Sequence, residues 1–477
     1  MSLVERLIRV VGYGGVLTCV LATGAGHAFG QWPQFRGPNG SGVDSSEGYP
    51  AVFSPARNVV WKTPVPHGQS SPVVADGHLY VTASHGDLLL TVCLDAETGR
   101  ELWRRGLRRS RVQKVYRAND PASPTAVADT DGVVVFFPDF GLAAYTSDGK
   151  DRWTVPLGPF HSFYGMAGSP IVAADLVILL CDQRMGSFVL AVDRRTGRQR
   201  WKQGRTSSPE GWATPIVFRP AAGPTQLIVL GSTRLDSYAL ETGESRWWMP
   251  IGSSGAMGTV VTGGETLYLS TVGGSEPSLP TFDAVLDKYD GNKDRRLSHA
   301  ELLLDKELGE HFGWIDADSD DVITETEWKT TRNLGSGASG AVAIRPEGAR
   351  GALDASSVLW RFERNLPYIP APLLYQNVLY LVKTGGIVTS LDPATGRLLK
   401  EGRAPGALGP YYASPVAADG KVFLTSTEGK ITVLKAAGDW QVLEVNDIGE
   451  EIHATPALAG GRVFVRTRSS MYCFGGN

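Results

Sequence analysis

A unit of about 40 to 50 residues recurs along the chain, and this period is typical of the blades of a β-propeller. Each unit opens with a small residue and a proline in front of a short apolar run. The seven clear openings are Ser71-Pro72, Ser123-Pro124, Ser169-Pro170, Thr214-Pro215, Ala371-Pro372, Ser414-Pro415 and Thr455-Pro456. Gly258-Thr259 opens an eighth unit without the proline. Because a single repeat buries its apolar faces only against its neighbours, the eight units predict one closed domain.

The sequence within each unit predicts four short strands. Two alternating apolar runs joined by a turn indicate a hairpin, as in 79–83 and 88–94. A turn that contains glycine and a last strand follow. In four units this last strand ends in a tryptophan: Trp103, Trp153, Trp201 and Trp247. Eight units of four strands predict an all-β fold, an eight-bladed β-propeller.

Two incomplete segments indicate how the ring closes. The unit that begins at Thr455 stops one strand short, whereas residues 58–64 contain a spare strand with Trp61. We expect the spare strand to complete the eighth blade, because an open ring would leave two unpaired strand edges. The prediction gives an N-terminal strap and two propeller segments, which are residues 31–57, 58–274 and 339–477.

A small α-helical insertion is predicted in the fifth blade, after its second strand. Residues 278–334 contain two tandem loops with oxygen side chains at positions 1, 3, 5, 9 and 12, the spacing of an EF-hand pair, and position 7 offers its backbone carbonyl. The first loop supplies Asp290, Asn292, Asp294, Arg296, Ser298 and Glu301, and the second supplies Asp316, Asp318, Asp320, Val322, Thr324 and Glu327. Because Ca²⁺ is a hard cation that takes roughly six to eight oxygen ligands, we expect two Ca²⁺ sites. The alternative is an acidic helical insertion that binds no metal.

Other loop positions predict the structure of this helical insertion. Position 8 is apolar in both loops, Leu297 and Ile323, which indicates a short β-bridge between them. Position 6, where φ is positive and glycine is usual, is Arg295 in the first loop and Asp321 in the second. Since Asp tolerates the left-handed region better than Arg, we expect tighter binding at the second loop. The predicted helices are 280–289 and 300–314, and the predicted Gly/Ser linkers are 273–275 and 335–340.

The negative charge of the chain is concentrated in the helical insertion. The whole chain has a net charge of −3, whereas residues 283–329 contain 14 acidic and 6 basic residues. The basic residues elsewhere are dispersed, and no run of them interleaves with aromatic residues. We therefore expect no nucleic-acid partner.

The first 30 residues have the layout of a secretory signal peptide. Arg6 and Arg9 precede an apolar stretch over 10–22, and small residues stand at Ala28 and Gly30. We expect cleavage near residues 28–30 and a periplasmic or secreted protein. No later segment reaches the roughly 18 to 20 apolar residues of a membrane span, so no transmembrane helix is predicted in the mature chain.

The four cysteines predict no disulfide framework. Cys19 lies in the apolar stretch near the N-terminus, where a lipoprotein anchor is the alternative to simple cleavage. Cys93, Cys181 and Cys473 fall in apolar strand patterns far apart in the sequence. An odd number of such cysteines indicates buried thiols.

One repeat carries a resemblance to a known family. Residues 191–201, Ala-Val-Asp-Arg-Arg-Thr-Gly-Arg-Gln-Arg-Trp, resemble the tryptophan-docking repeat of the pyrroloquinoline quinone (PQQ) propeller superfamily, and residues 93–103 match it except at the first position. Other copies are degenerate, with Tyr145 in place of the Asp and Lys400 in place of the Trp. The resemblance implies that Gly, Ala and Trp lock adjacent blades together. Because the superfamily includes quinoprotein alcohol dehydrogenases and non-catalytic members such as BamB, the resemblance leaves the chemistry open.

Resemblance to the quinoprotein dehydrogenases would imply a vicinal Cys-Cys pair against the quinone, and Glu, Asn and Asp around a Ca²⁺ that polarises it. This sequence has no adjacent cysteines and no Cys-x-x-Cys-His haem motif. We therefore expect neither PQQ as a cofactor nor catalytic residues. A quinone-dependent oxidoreductase, or another enzyme that uses the propeller funnel, is the alternative.

The connections between blades contain candidate ligand-binding residues. Antiparallel alternation places these connections and the loops between second and third strands, including the helical insertion, on one face. Aromatic and polar residues that converge there indicate a binding funnel; they are His67, Arg117, Asn119, His161, Tyr164, Trp212, Tyr411, Tyr412 and His453. The alternative is that they cap the blade tops. We predict an exported, non-catalytic binding or scaffold protein that takes a protein, peptide or glycan on this face.

Overall fold

A computed structural model describes residues 30–476 except 114, 116–118, 252–256, 274–278, 319, 335–338 and 407. The predicted signal peptide up to residue 29 and most of the two linkers therefore lie outside the described residues. The described chain forms eight sheets around one axis, and each sheet is built on four antiparallel strands in the order that the repeat predicts. The innermost strand of the eighth sheet lies against that of the first. The predicted eight-bladed β-propeller is confirmed.

Blades 1 to 4 run from the axis outward in chain order. Blade 1 contains Val73–Ala75, His78–His85, Leu88–Asp95 and Glu101–Arg108, and blade 2 contains Val127–Asp129, Gly132–Phe137, Gly141–Tyr145 and Asp151–Pro156. Blade 3 contains Ile171–Ala173, Leu176–Cys181, Phe188–Asp193 and Gln199–Gly204, and blade 4 contains Ile216–Phe218, Gln226–Leu230, Arg234–Ala239 and Ser245–Pro250. A short strand, Gly351–Ala352, joins the outer edge of blade 4 in parallel.

Blades 5 to 8 follow the same order. Blade 5 contains Val261–Gly263, Thr266–Thr271, Gly340–Ile344 and Val358–Phe362, and blade 6 contains Leu373–Tyr375, Val378–Lys383, Ile387–Leu391 and Leu398–Arg403. Blade 7 contains Val416–Ala418, Lys421–Thr425, Lys430–Lys435 and Gln441–Asp447. Blade 8 contains Ala457–Ala459, Arg462–Arg466 and Ser470–Gly475, and Val59–Pro64 pairs antiparallel with its third strand as the predicted closing strand.

The position of a strand in its blade determines its burial. Leu176–Cys181 packs between neighbouring blades and is buried at every residue, whereas the outer strand Gln199–Gly204 exposes most of its residues. Apolar clusters fill the spaces between adjacent blades. The second and third strands are therefore apolar on both faces, which accounts for the apolar runs of the repeat.

The repeat tryptophans join neighbouring blades. Trp153 of blade 2 donates its Nε1–H to the carbonyl oxygen of Arg194 in blade 3 at 3.0 Å. Its ring covers Gly197, whose φ is 71°, and a Cβ at that glycine would lie 2.8 Å from the ring. Four further pairs repeat this contact: Trp61 with Gly99, Trp103 with Gly149, Trp201 with Gly243, and Trp360 with Gly396. The contact requires glycine for its positive φ and for the close approach of the ring.

The N-terminal strap crosses the face opposite to the inter-blade connections. Each innermost strand has only three residues, and its inner edge would otherwise leave backbone groups unpaired. The strap supplies hydrogen-bond partners for Val74, Ala128, Val217 and Ala417, in blades 1, 2, 4 and 7. Trp32 and Arg36 are fully buried, and the Arg36 guanidinium donates to the carbonyl oxygen of Pro372 in blade 6 at 2.8 Å. The strap, which includes the 3₁₀ turn Pro38–Gly40, therefore covers one end of the central channel.

The helical insertion, residues 279–334, leaves blade 5 after its second strand. Its helices are Phe282–Tyr289, His299–Leu302, Lys306–Glu310, Phe312–Ile315 and Glu325–Asn333. Its two-residue strands Leu297–Ser298 and Val322–Ile323 pair antiparallel, which is the predicted β-bridge. The insertion has an apolar core of its own around the buried side chains of Leu302, Ile315 and Trp328. No helix in the described part of the chain has the length and apolar character needed to cross a bilayer.

The prediction of one helix over 300–314 is wrong, because three short helices replace it. Asp305 begins a new helix: its Oδ1 accepts the backbone N–H groups of Glu307 and Leu308 at 3.1 and 3.2 Å, as an N-cap does. Its Oδ2 accepts the hydroxyl of Tyr289 at 2.6 Å, which ties the cap to the entering helix.

Candidate functional site

The face that carries the inter-blade connections opens into a funnel with a cavity of about 390 Å³. Each of the eight connections contributes to the cavity wall, and Phe35 of the strap contributes from below. Among the described lining residues there is no Asp, Glu, Lys or Arg, and His453 is the one titratable group besides three tyrosines. The described wall of this pocket on the propeller axis is therefore uncharged.

Aromatic side chains form two walls of the funnel. Tyr164 and Trp212 meet edge to face at 5.4 Å, and the indole Nε1–H of Trp212 donates to the carbonyl oxygen of Gly165 at 2.7 Å. Four connections further round the ring, Tyr412 and His453 meet edge to face at 5.3 Å. Because the ring has eight blades, these two pairs lie on opposite sides of the axis.

Hydroxyl groups form a belt around the inside of the funnel. Each backbone N–H of the belt donates to the serine or threonine hydroxyl of the next blade, for example Ser71 to Thr125 and Thr125 to Ser169, both at 3.0 Å. The belt also joins Ser169 to Thr214, Ala371 to Ser414, Ser414 to Thr455, and Thr455 to Ser71. In blade 5 the Thr259 hydroxyl finds no partner among the described residues. The residue directly before the proline is therefore a blade-to-blade link in six blades, and in blade 2 the link is Thr125, which follows Pro124.

Five of the nine predicted funnel residues line the cavity: Asn119, Tyr164, Trp212, Tyr412 and His453. His67 lies beside it, with Nε2 3.2 Å from Oδ2 of Asp120. His161 packs against the top loop of blade 3, where its backbone N–H donates to Oε1 of Gln183. Arg117 lies outside the described residues.

The prediction that Tyr411 contributes to the funnel is wrong. Its side chain is 1% exposed and lies in the apolar core between blades 6 and 7, where burial raises its pKa to about 12. Successive residues of an extended segment point to opposite sides, so Tyr412 faces the cavity instead. The sequence analysis missed the belt hydroxyls and Phe35, although the recurrence of Ser or Thr before proline was a signal for the belt.

The second loop of the helical insertion brings three carboxylates together. One oxygen from each lies within 4.8 Å of the others: Asp316, Asp318 and Asp320. Asp316 is only 5% exposed and accepts the backbone N–H of Asp321, whose φ is 64°. Glu327 lies across the loop, and its two oxygens accept the N–H groups of Ala317 and Thr324 at 2.8 Å. The described oxygens of this loop lie close enough together to serve as ligands of a hard cation.

The first loop has the same backbone course. Asp290 accepts the N–H of Arg295, whose φ is 61°, at 3.0 Å, and Glu301 accepts the N–H of Gly291 at 3.1 Å. The Arg295 side chain turns outward to Asp283 at 3.0 Å. Both loops therefore accommodate a side chain at position 6 in the left-handed region, and Arg295 does not obstruct the acidic positions.

The helical insertion contacts the propeller at blade 3. The Arg184 guanidinium lies beside two aromatic rings, 5.6 Å from the centre of Phe163 and 5.7 Å from that of Trp314 in the insertion, and these rings meet edge to face at 6.4 Å. Its Nε is 3.3 Å from Oε2 of Glu210, and both side chains are 4% exposed. Burial lowers the pKa of Arg184, whereas the charges of Glu210 and of the second loop act in the opposite direction. A buried cation thus connects the second loop to the propeller.

A groove of about 840 Å³ separates the insertion from blade 3 beside the funnel. Phe163, Leu279, Leu308 and Trp314 supply apolar surface, and the acidic residues at its margin are Asp305, Glu307 and Glu310. Tyr164 lines both the groove and the funnel. The two recesses are therefore neighbours on one face.

A buried ion network between blades 3 and 4 was not predicted. Arg205 donates to both carboxylate oxygens of Asp182 at 2.7 and 3.0 Å, and its Nη1 contacts Asp236 and Tyr238 at 2.9 and 2.7 Å. Burial alone would lower the pKa of Arg205, but the attraction of Asp182, Tyr238 and Asp236 raises it above its usual value. The Arg205 guanidinium therefore stays charged, and its hydrogen bonds fix the top of blade 3 against blade 4.

Comparison with known proteins identifies the family. A family model described as "Outer membrane protein assembly factor BamB" matches residues 54–188 and 184–407. The chain belongs to this family. The outer membrane protein assembly factor BamB of Burkholderia pseudomallei (strain K96243) is 26% identical over 257 residues, which cover 51% of this chain. The match spans 60% of the length of that relative.

Two solved structures share the fold of this BamB-family chain. BamB from Moraxella catarrhalis is 13% identical with a TM-score of 0.53, over 87% of this chain and 98% of that one. The quinohemoprotein alcohol dehydrogenase from Comamonas testosteroni is 12% identical with a TM-score of 0.54, over 93% of this chain and 80% of that one. At these identities the likeness concerns the fold alone.

The described funnel residues of this BamB-family chain do not fit PQQ. The quinone is a tricarboxylate, and moving an ionised carboxylate out of water is costly unless a cation pairs with it. The described lining contains neither Lys nor Arg. Cys93, Cys181 and Cys473 lie in three separate blades, and burial raises the pKa of Cys93 and Cys473 to about 12. These thiols stay protonated inside the sheets.

Proposed function

We propose that this chain is an exported, non-catalytic scaffold that binds a protein partner on the face of the inter-blade connections and holds two Ca²⁺ in an EF-hand pair on the same face. The observation that carries the proposal is the position of the helical insertion, which contacts blade 3 through Trp314 and shares a groove with the funnel margin. Its relatives are described as outer membrane protein assembly factors, which supports a protein partner and a periplasmic or secreted location.

The groove between the insertion and blade 3 favours a partner segment that carries apolar and basic side chains. Its floor is apolar, and Asp305, Glu307 and Glu310 at its margin are acidic. Complementary charge accelerates association and fixes orientation, and its effect falls with ionic strength. A photo-crosslinking residue at the exposed position of His311 in the groove should capture this partner, and one at Leu102, exposed on blade 1, should not. Equal capture at both positions would place the partner elsewhere.

The oxygen ligands proposed for Ca²⁺ are those of the two loops, with Arg296 and Val322 contributing backbone carbonyls. Bound Ca²⁺ would neutralise the carboxylates that the second loop holds within 4.8 Å of one another. The mutual repulsion of these carboxylates would then be relieved. Because Ca²⁺ binds the folded loops in preference to unfolded ones, it would stabilise the folded insertion.

Calorimetric titration of the whole protein with Ca²⁺ tests the metal sites. We expect two binding events in the wild type and one in each of Glu301→Gln and Glu327→Gln, since each substitution removes the bidentate ligand of one loop. Glu327→Gln should remove the tighter event. Glu325→Gln is the matched control, because Glu325 occupies position 10 of the loop, which supplies no ligand, and pairs with Lys329. Absence of heat at millimolar Ca²⁺, or binding that survives both substitutions together, would contradict the proposal.

The alternative function is a quinone-dependent oxidoreductase or another enzyme that uses the funnel. Fold likeness to a quinohemoprotein dehydrogenase supports it, and the described funnel lining does not. No constellation of nucleophile, base and oxyanion donors is found among the described lining residues. The scaffold is therefore the function that the geometry supports best.

A further inference from the structure

The described lining of the funnel favours an uncharged ligand. The described lining residues carry no fixed charge, and the Nε2 atom of His453 is already 2.7 Å from Oε1 of Glu451. A charged group that enters this recess gives up water without gaining an ionic partner among the described lining residues. A neutral ligand avoids this cost.

The belt supplies hydrogen-bond donors to such a ligand. Five belt hydroxyls line the cavity, on Ser71, Thr125, Ser169, Thr214 and Thr455. Each accepts one backbone N–H, and none donates a hydrogen bond to another described residue. A hydroxyl has one O–H to donate, so these groups can contact acceptor oxygens that are distributed around a ligand. The ligand should therefore carry several oxygens on its edge.

The aromatic walls of the funnel favour a ligand with flat, weakly polar faces. Tyr164 and Trp212 face Tyr412 and His453 across the axis. Aromatic rings with a polar atom at one end suit ligands that are apolar on their faces and polar at their edges. A pyranose has C–H groups on its faces and hydroxyls on its edge, whereas an extended peptide alternates donors and acceptors along one line.

We infer that the funnel binds one or two neutral sugar units at the end of an oligosaccharide. Phe35 and the strap cover the opposite end of the channel, so the chain end enters from the loop face and does not thread through. The cavity of about 390 Å³ lies within the range of small-ligand sites, roughly 300 to 1,000 Å³. The sugar site extends the proposed binding role to a second ligand and needs neither Ca²⁺ nor the protein partner.

Calorimetry and tryptophan fluorescence with neutral hexasaccharides of glucose, mannose and N-acetylglucosamine test the inference. We expect at least one of them to bind with millimolar or better affinity and to alter the tryptophan fluorescence of the protein. Tyr412→Ala should weaken binding at least tenfold, Tyr412→Phe should retain most of it, and Tyr411→Phe, a change in the buried neighbour, should leave it unchanged. Thermal unfolding of each variant shows that it is folded.

The same titration is repeated with chelator, with a hexauronate and with an uncharged hexapeptide. Binding of the neutral sugar that persists in chelator supports the inference, and this result is independent of the calcium sites. Tighter binding of the hexauronate or of the peptide would overturn it. Absence of binding by all three neutral hexasaccharides, or binding that Tyr412→Ala leaves intact, would also overturn it.

Discussion

At the scale of single residues, glycine and tryptophan set the distance between blades. Gly197 combines a φ of 71° with a ring 2.8 Å from its missing Cβ, whereas Gly264 has a φ of 58° and nothing within 4 Å of that position. A substitution at Gly264 therefore tests backbone strain alone, whereas a substitution at Gly197 tests backbone strain together with steric contact. The degenerate copy at Lys400 shows that the contact is replaceable: its ammonium lies 4.2 Å from the ring centre of Trp440.

We predict that Gly197→Ala is more destabilising than Gly264→Ala. Alanine with a positive φ costs about 1–2 kcal/mol at either position. At Gly197 the new methyl group also overlaps the ring of Trp153, and such overpacking costs about 1–3 kcal/mol more. Unfolding in urea measures both free energies. Equal losses of unfolding free energy in the two variants would mean that the Trp153 ring moves aside and that its contact with Gly197 does not fix the distance between blades.

Residue types were more predictable than the directions of side chains. The place of Tyr164, Trp212 and Tyr412 in the connections between blades predicted them as funnel residues, and all three line the cavity. The same pattern could not distinguish Tyr411 from Tyr412, because one step along an extended chain exchanges the core for the cavity. The ion network was beyond prediction for a different reason. Asp182 and Asp236 belong to different blades, and no local pattern around Arg205 marks the pair that it joins.

At the scale of elements, the strands followed from periodicity and the helices of the insertion did not. A strand of a blade is buried between two neighbours, so its apolar run is visible in sequence. The helices between the loops are shorter than a periodic pattern needs, and the side chain of Asp305 decides where one begins. The strap was identifiable as a segment outside the repeat. Its contacts were not, because Trp32 and Arg36 reach blades that are distant in sequence.

At the scale of the whole molecule, the insertion meets the propeller at Arg184, a charged residue beside the rings of Phe163 and Trp314. Arg184 belongs to the top loop of blade 3, and Trp314 stands two residues before the second loop. Antiparallel alternation predicted the common face, but the blade that the insertion contacts depends on side chains from three separate segments. The negative charges of Asp316 and Glu327 act on Arg184 across this contact. A Ca²⁺ in the second loop would cancel that attraction.

We predict that Ca²⁺ changes hydrogen exchange in the propeller as well as in the insertion. In the wild type, Ca²⁺ instead of chelator should protect residues 282–333 and should alter exchange at residues 160–165 and 182–187 of blade 3. Arg184→Met should retain the first effect and lose the second, because the remaining side chain carries no charge to respond to the loop. Arg200→Met, at an exposed arginine on the outer strand of blade 3, should retain both. Protection confined to the insertion of the wild-type protein would contradict this prediction. Ca²⁺ would then stabilise the insertion alone, and the funnel and the groove would respond to their ligands independently.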